Sequence, residues 1–117
     1  MSFETINVRD LDGMEPSECD ALPFGVVGFK ADTVVETYNA TEARQSGLDP
    51  ATVIGVPFFD IIAQCMNNFM VAQRFEDEPE LDDIVPYVLT LRMRPTKVRL
   101  RLLATPEIAR RYLLIER

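Results

Sequence analysis

The sequence predicts an α+β fold: a five-stranded antiparallel sheet with short helices packed on one face and an N-terminal arm. Three observations lead there. Two short β-prone runs, residues 24–29 and 34–38, come first. A series of short helical patterns follows, from Asn39 to Phe75. Three more strand-like runs then close the chain.

Taken in order, residues 1–21 read as an acidic arm and residues 22–117 as the domain proper. Pro16 suits the first turn of a short helix over residues 17–21. The four residues 30–33 between the first two β-prone runs have hairpin spacing. Asn39 is placed to cap a helix over residues 40–46, which Gly47 ends. Asp49-Pro50 starts a second short helix by the cap-then-proline signature. Residues 58–63 form a third short segment, and Asn67 or Asn68 caps a longer one running through Val71, Ala72 and Phe75. Residues 76–83 read as an acidic loop. In residues 87–93 the side chains Tyr87, Leu89, Leu91 and Met93 share one face of a strand. Residues 94–96 make the turn, and residues 97–102 alternate with apolar side chains inward and bases outward. Residues 112–116 are the fifth strand, and a pocket is expected between helices and sheet.

At 117 residues, 47% hydrophobic and 26% charged, the chain suits one globular domain. A net charge of -7 argues against nucleic acid as a partner, because phosphate repels an acidic surface. That charge is uneven: residues 1–91 hold 17 acids and 4 bases, whereas residues 92–117 hold 8 bases and 2 acids. A basic face including Arg92, Arg99 and Arg101 is therefore available to solvent, to the acidic arm or to another chain. There is no histidine, so the usual general base and the commonest zinc ligand are missing. No signal peptide or membrane span is legible, which gives the expectation of a cytoplasmic protein with no membrane partner. The two cysteines, Cys19 and Cys65, are then expected to be free thiols.

The residues that bear most on function are Cys65, Tyr38, Glu42 and Ser46. Cys65 follows a dense apolar run, residues 56–64, which puts its thiol in or beside the core. Tyr38, Glu42 and Ser46 recur at a spacing of four, which on a helix stacks a phenol, a carboxyl and a hydroxyl on one face. A thiol beside a buried acid and phenol suits attachment of a polar ligand. With no histidine to serve as its base, a cysteine enzyme is the weakest alternative.

Six strings carry a resemblance. They are Leu22-Pro23-Phe24-Gly25, Tyr38-Asn39-Ala40-Thr41-Glu42, Asp49-Pro50-Ala51-Thr52-Val53-Ile54-Gly55, Phe58-Phe59, Ala63-Gln64-Cys65 and Met93-Arg94-Pro95-Thr96-Lys97-Val98. In order and spacing they resemble the photoactive yellow protein family, blue-light receptors of the PAS fold. The resemblance implies p-coumaric acid held as a covalent thioester on Cys65. Tyr38 and Glu42 would hydrogen-bond its phenolate oxygen, Ser46 would stand where a threonine supports the tyrosine, and the Cys65 backbone N–H would hold the thioester carbonyl. It further implies that light isomerises the chromophore and that Glu42 then passes its proton to the phenolate. A carboxylate without a counter-charge would remain, and the arm would be released toward a downstream signalling protein. The chain would be a monomer or weak dimer. The alternative is a chromophore-free PAS-type module that binds another small ligand or a partner.

The chain departs from the family pattern at several positions. Gln64 stands where the family usually has proline, and Met66 where it has a small hydroxyl residue. Leu48 replaces an arginine over the phenolate end, and Leu91 an aromatic residue that lines the pocket. The first hairpin lacks the expected glycines.

Overall fold

The computed structural model describes residues 1–90 and 94–117. Five strands form one antiparallel sheet: β1 (Gly25–Phe29), β2 (Val35–Tyr38), β3 (Leu81–Leu89), β4 (Thr96–Thr105) and β5 (Ile108–Glu116). Their order is β2-β1-β5-β4-β3, so the chain's last strand sits at the centre. Val27 pairs with Leu113 and Leu102 with Leu113 across the three central strands, which fixes their common register.

Between β2 and β3 lie α3 (Ala40–Ser46), α4 (Pro50–Val53), a π-helical turn (Phe58–Ile62), a 3-10 turn (Gln64–Met66) and α5 (Ala72–Asp77). They cover one face of the sheet. Val27, Phe29, Leu100, Leu102, Leu113 and Ile115 pack there against Val53, Phe58, Phe59, Met66 and Phe75. Phe29 anchors this layer, with the Phe59 and Phe75 rings edge-on at 5.4 and 5.0 Å.

The opposite face is covered as well, by the arm. Besides the expected helix, α2 (Pro16–Asp20), the arm holds α1 (Val8–Asp12), closed at its start by reciprocal bonds between Asn7 and Asp10. Phe3, Ile6, Val8 and Leu11 pack against Val26, Leu103, Tyr112 and Leu114. Of the bases of β4, Lys97 is exposed as expected, whereas Arg101 and in part Arg99 turn to the arm, one of the partners open to the basic face. Arg101 is 4% exposed; its guanidinium donates to the carbonyls of Phe3 and Ile6 and forms a bidentate pair with Asp82 at 2.9 and 3.0 Å. Arg99 lies 5.0 Å from the centre of the Phe3 ring and pairs with Glu4 and Glu116. Glu4 of the arm and Arg99 of the sheet thus pair within one chain.

Buried Asn39 ties arm, sheet and helix together. Its amide donates to the carbonyls of Cys19 and Phe24, and its oxygen accepts from the N–H groups of Val26 and Glu42. The last of these is the expected cap of α3.

Several boundaries move. β3 begins at Leu81, inside the expected acidic loop, because Asp82 and Asp83 are exposed side chains of an edge strand, neutralised by Arg101 and Arg74. Pro86 is tolerated there for the same reason, since an edge strand has one side without ladder bonds. β5 starts at Ile108, four residues before the expected strand. Asn68 does cap, but only a turn, accepting from Met70 and Val71; α5 starts after it at Ala72. The first hairpin turns through Thr33 at φ 70, a left-handed position that a glycine fills at lower cost. The expected strand positions Leu91 and Met93, with Arg92 of the basic face, lie outside the described residues. Among the described residues no helix is long and apolar enough to cross a membrane.

Candidate functional site

The site forms where β2 runs into α3. Tyr38 is the last residue of β2 rather than part of the helix, while Glu42 and Ser46 are one helical turn apart on α3. Gly47 ends the helix at φ 76, in the left-handed region, and returns its N–H to Ala43. This geometry lets the strand-end phenol reach over the helix. The Tyr38 hydroxyl lies 2.7 Å from Ser46 Oγ, and Ser46 Oγ also accepts from the N–H of Leu48. Both side chains are buried.

Cys65 is a free thiol, half-buried, in the 3-10 turn that follows the apolar run. It packs against the same apolar cluster that contains Tyr38, Val53 and Met66. Its turn is clamped from the sheet side. The Tyr87 hydroxyl donates to the Cys65 carbonyl at 2.6 Å, and the Asn68 amide donates both to that carbonyl and to the Tyr87 oxygen. Sequence reasoning named Tyr87 only as an inward strand residue and Asn68 only as a cap. No local pattern shows that the two would converge on the thiol's own turn.

Glu42 is placed differently from its two companions. It is 1% exposed, and both carboxylate oxygens accept from Arg117, at 2.6 Å from Nη1 and 3.2 Å from Nη2. Gly25 makes room for it: a Cβ there would fall 2.1 Å from Glu42 Oε1. The structure therefore brings Tyr38 and Ser46 together and sets Glu42 against the end of β5, with a counter-charge in place. Arg117 is the functional neighbour that sequence reasoning missed, since 75 residues separate the pair.

Burial pushes the Glu42 carboxyl above its ordinary value of 4.5, and Arg117 pulls it part of the way back. The sign for stability follows from proton binding. A folded-state value above the unfolded one means that the native state holds this proton more tightly. Glu42's contribution is therefore fully present below the unfolded value and is lost as the pH rises through the folded one. Glu42→Gln, which cannot ionise, is expected to flatten that dependence. Urea midpoints from pH 4.5 upward should show the parent losing stability relative to the variant; parallel profiles would contradict this cause.

A cavity of about 540 Å³ opens at the C-terminal end of α3, lined by Arg44, Ser46, Gly47, Leu89, Arg94 and Arg117. It meets the hydroxyl pair at Ser46 and the ion pair at Arg117. Cys65 is not among its lining residues. Chemically, these residues offer a thiol, two buried hydroxyls that donate or accept, an apolar cluster shared by Tyr38 and Cys65, and a buried acid.

Comparison with known proteins supplies the remaining evidence. The chain is 33% identical over 97 residues to a photoactive yellow protein from Halochromatium salexigens, covering 80% of this chain and 78% of that protein. A photoactive yellow protein from Rhodothalassium salexigens is 32% identical over 92 residues, with 76% and 74% covered. Among solved structures, the photoactive yellow protein domain of the sensor histidine kinase Ppr from Rhodospirillum centenum superposes with a TM-score of 0.84 at 34% identity, covering 91% of this chain and 96% of that one. A PAS domain of an HTR-like protein from Haloarcula marismortui shares the fold at a TM-score of 0.64 and 18% identity, over 94% of this chain and 98% of that domain. No family model matches the chain.

Proposed function

This chain belongs to the photoactive yellow protein family and is a PAS-type sensor domain, and from that premise we propose that it is a blue-light receptor carrying p-coumaric acid as a thioester on Cys65. The observation that carries the reading is the buried Tyr38–Ser46 hydroxyl pair, packed into the same apolar cluster as the Cys65 thiol. Once bound, the group supplies a double bond that isomerises on absorbing blue light and a phenol that holds or loses a proton.

The chain's own residues do the rest. The Cys65 thiol would hold the group: its S–H proton would pass to solvent, the sulfur's electron pair would form the C–S bond, and the bond from the acyl carbon to the leaving group would break with its pair going to that group. Tyr87 and Asn68 hold the turn that presents the sulfur. Tyr38, backed by Ser46, would meet the phenol oxygen, because an oxygen buried there without donors would be costly. Glu42 becomes a proton donor to that region only after leaving Arg117, since a carboxylate accepts but does not donate. The output is release of the arm. In support, Arg117 pairs with Glu42, while its neighbour Glu116 pairs with Arg99, which also holds Glu4 of the arm. A signalling protein that reads the freed arm or the face beneath it is the partner this implies, and an enzymatic role is not part of the reading.

Peptide mapping after acylation tests it. Ligand-free protein mixed with an activated thioester of p-coumaric acid should carry the acyl group on the peptide containing Cys65. Cys19 should stay unmodified, because burial raises its thiol to about 11, leaving about one molecule in a thousand as thiolate at pH 8. Label on neither cysteine of the folded protein would favour the second reading, a chromophore-free module. The cavity beside Ser46 supports that alternative, because it reaches three arginines but not Cys65.

A further inference from the structure

We propose that Arg117 is a positioning residue of this site: by holding Glu42 as a carboxylate turned toward β1 and the end of β5, it decides whether the site's third polar group offers a lone pair or a proton. The inference rests on the proposed reading for the ligand's identity, and on the geometry of this chain alone for the role of Arg117.

The geometry is specific. Both Glu42 oxygens accept N–H bonds from one guanidinium, which is the arrangement of an ionised carboxylate. Arg117 Nη1 also donates to Gln45 Oε1, one turn of α3 away, so the guanidinium is fixed at two points along the helix. The Arg117 side chain is 16% exposed and that of Glu42 is 2% exposed. The arginine can therefore return to water if the pair opens, and the glutamate cannot.

Among the described residues, Glu42 has no second ion-pair partner. β1 presents Gly25, with no side chain, beneath its carboxylate. On β5 the neighbouring charge, Glu116, is committed to Arg99. On α2, Asp20 is occupied with the N–H of Ala40. On α3 itself, Arg44 donates to Thr41. Arg117 is thus the one cation among the described residues that pairs with Glu42.

The consequence is a preference for ligand charge. With Arg117 engaged, the site has the hydroxyl pair and an acceptor-only carboxylate nearby, which supports a phenolate less than donors alone would. With Arg117 withdrawn, Glu42 takes up a proton, because a buried carboxylate without a counter-charge is costly. The site then has a second donor beside the hydroxyl pair, which suits a phenolate better. Arg117 acts through Glu42 and touches no reacting atom.

The test is an isotope-edited infrared or carbon NMR titration of Glu42 in the full, ligand-free chain, with Arg117→Leu and Arg117→Lys. An opposite charge at this distance moves a carboxyl by roughly 1–3 pH units. The Glu42 midpoint should therefore rise by that much in Arg117→Leu, and Arg117→Lys, which keeps the charge, should fall between it and the parent. An unmoved midpoint in the leucine variant would overturn the proposal. So would an equal rise in both variants, which would assign the effect to packing.

Acylated protein provides a separate readout. The ratio of phenolate to phenol absorption at neutral pH should rise in Arg117→Leu, and an unchanged ratio would count against the proposal. If no adduct forms in either protein, the reading of Cys65 fails, while the ligand-free titration still decides the role of Arg117.

Discussion

Arg101→Leu should loosen the N-terminal arm and leave the sheet standing. The guanidinium of Arg101 is buried and serves two carbonyls of the arm, those of Phe3 and Ile6. A leucine fills similar space but donates nothing, so both carbonyls lose their partner. Leaving a buried polar group unsatisfied costs about 1–3 kcal/mol. The third partner, Asp82, has a side chain 62% exposed and returns to water, so the lost ion pair adds little. A loss of about 3 kcal/mol is the expected sum, and the chain can recover part of it by lifting the arm so that water solvates the carbonyls. Opening of residues 3–11 should therefore rise by about 100-fold, each factor of ten being 1.4 kcal/mol. Hydrogen exchange of those amides, and tryptic cleavage after Arg9, read it directly. Protection equal to the parent's would show that the apolar contacts of Phe3, Ile6, Val8 and Leu11 hold the arm by themselves.

Cys65→Ser is expected to abolish covalent loading altogether, whereas Cys19→Ser should leave it intact. Serine keeps the size and the hydrogen bonding of the turn, and its backbone carbonyl remains available to Tyr87 and Asn68. What it lacks is nucleophilicity: an alcohol is a far weaker nucleophile than a thiol unless a base activates it. No histidine exists in the chain to do so. Cys19 cannot substitute, because it is buried within the arm and its thiol is raised to about 11, chiefly by desolvation. Acid-stable attachment in Cys65→Ser, or its loss in Cys19→Ser, would move the site from the turn to the arm. An unfolded Cys65→Ser would be recognised by its circular dichroism, and blocking Cys65 in the parent with a small alkylating reagent would then ask the same question.

Much of the fold was legible because the pleat writes itself into the sequence. In β4 the apolar residues Val98, Leu100 and Leu102 alternate with Lys97, Arg99 and Arg101, and Asn39, Gly47 and Asp49-Pro50 mark the helix ends where they occur. What that alternation concealed is the second layer. Arg99 and Arg101 read as a basic face open to solvent, to the acidic arm or to another chain, and it is the arm that packs on that side. The signal for it lay in β1, buried at all five positions, since a strand covered on both faces is apolar throughout. The short helix α1 was equally readable, from Asn7 and Asp10 as a cap with Val8 and Leu11 three apart. The start of β3 was hidden by Asp82 and Asp83, whose charges look like a loop until Arg101 and Arg74 answer them.

For the site, the sequence supplied the residue types but not all of their neighbours. A spacing of four suggested that Tyr38, Glu42 and Ser46 share one helical face. The chain changes from strand to helix at Asn39, and the strand-end phenol meets Ser46 while Glu42 pairs with Arg117. Glu42 is claimed by Arg117, and Cys65 by Tyr87 and Asn68. Pairings between distant segments carry no local periodicity, which is why these came only with the fold.

The most direct test of the light-receptor reading is the absorption spectrum of the acylated protein before, during and after blue illumination. The account predicts a band in the blue, red-shifted from free p-coumaric acid, that bleaches in the light and returns in the dark. A protein acylated on Cys65 and folded, whose spectrum does not respond to blue light, would contradict it.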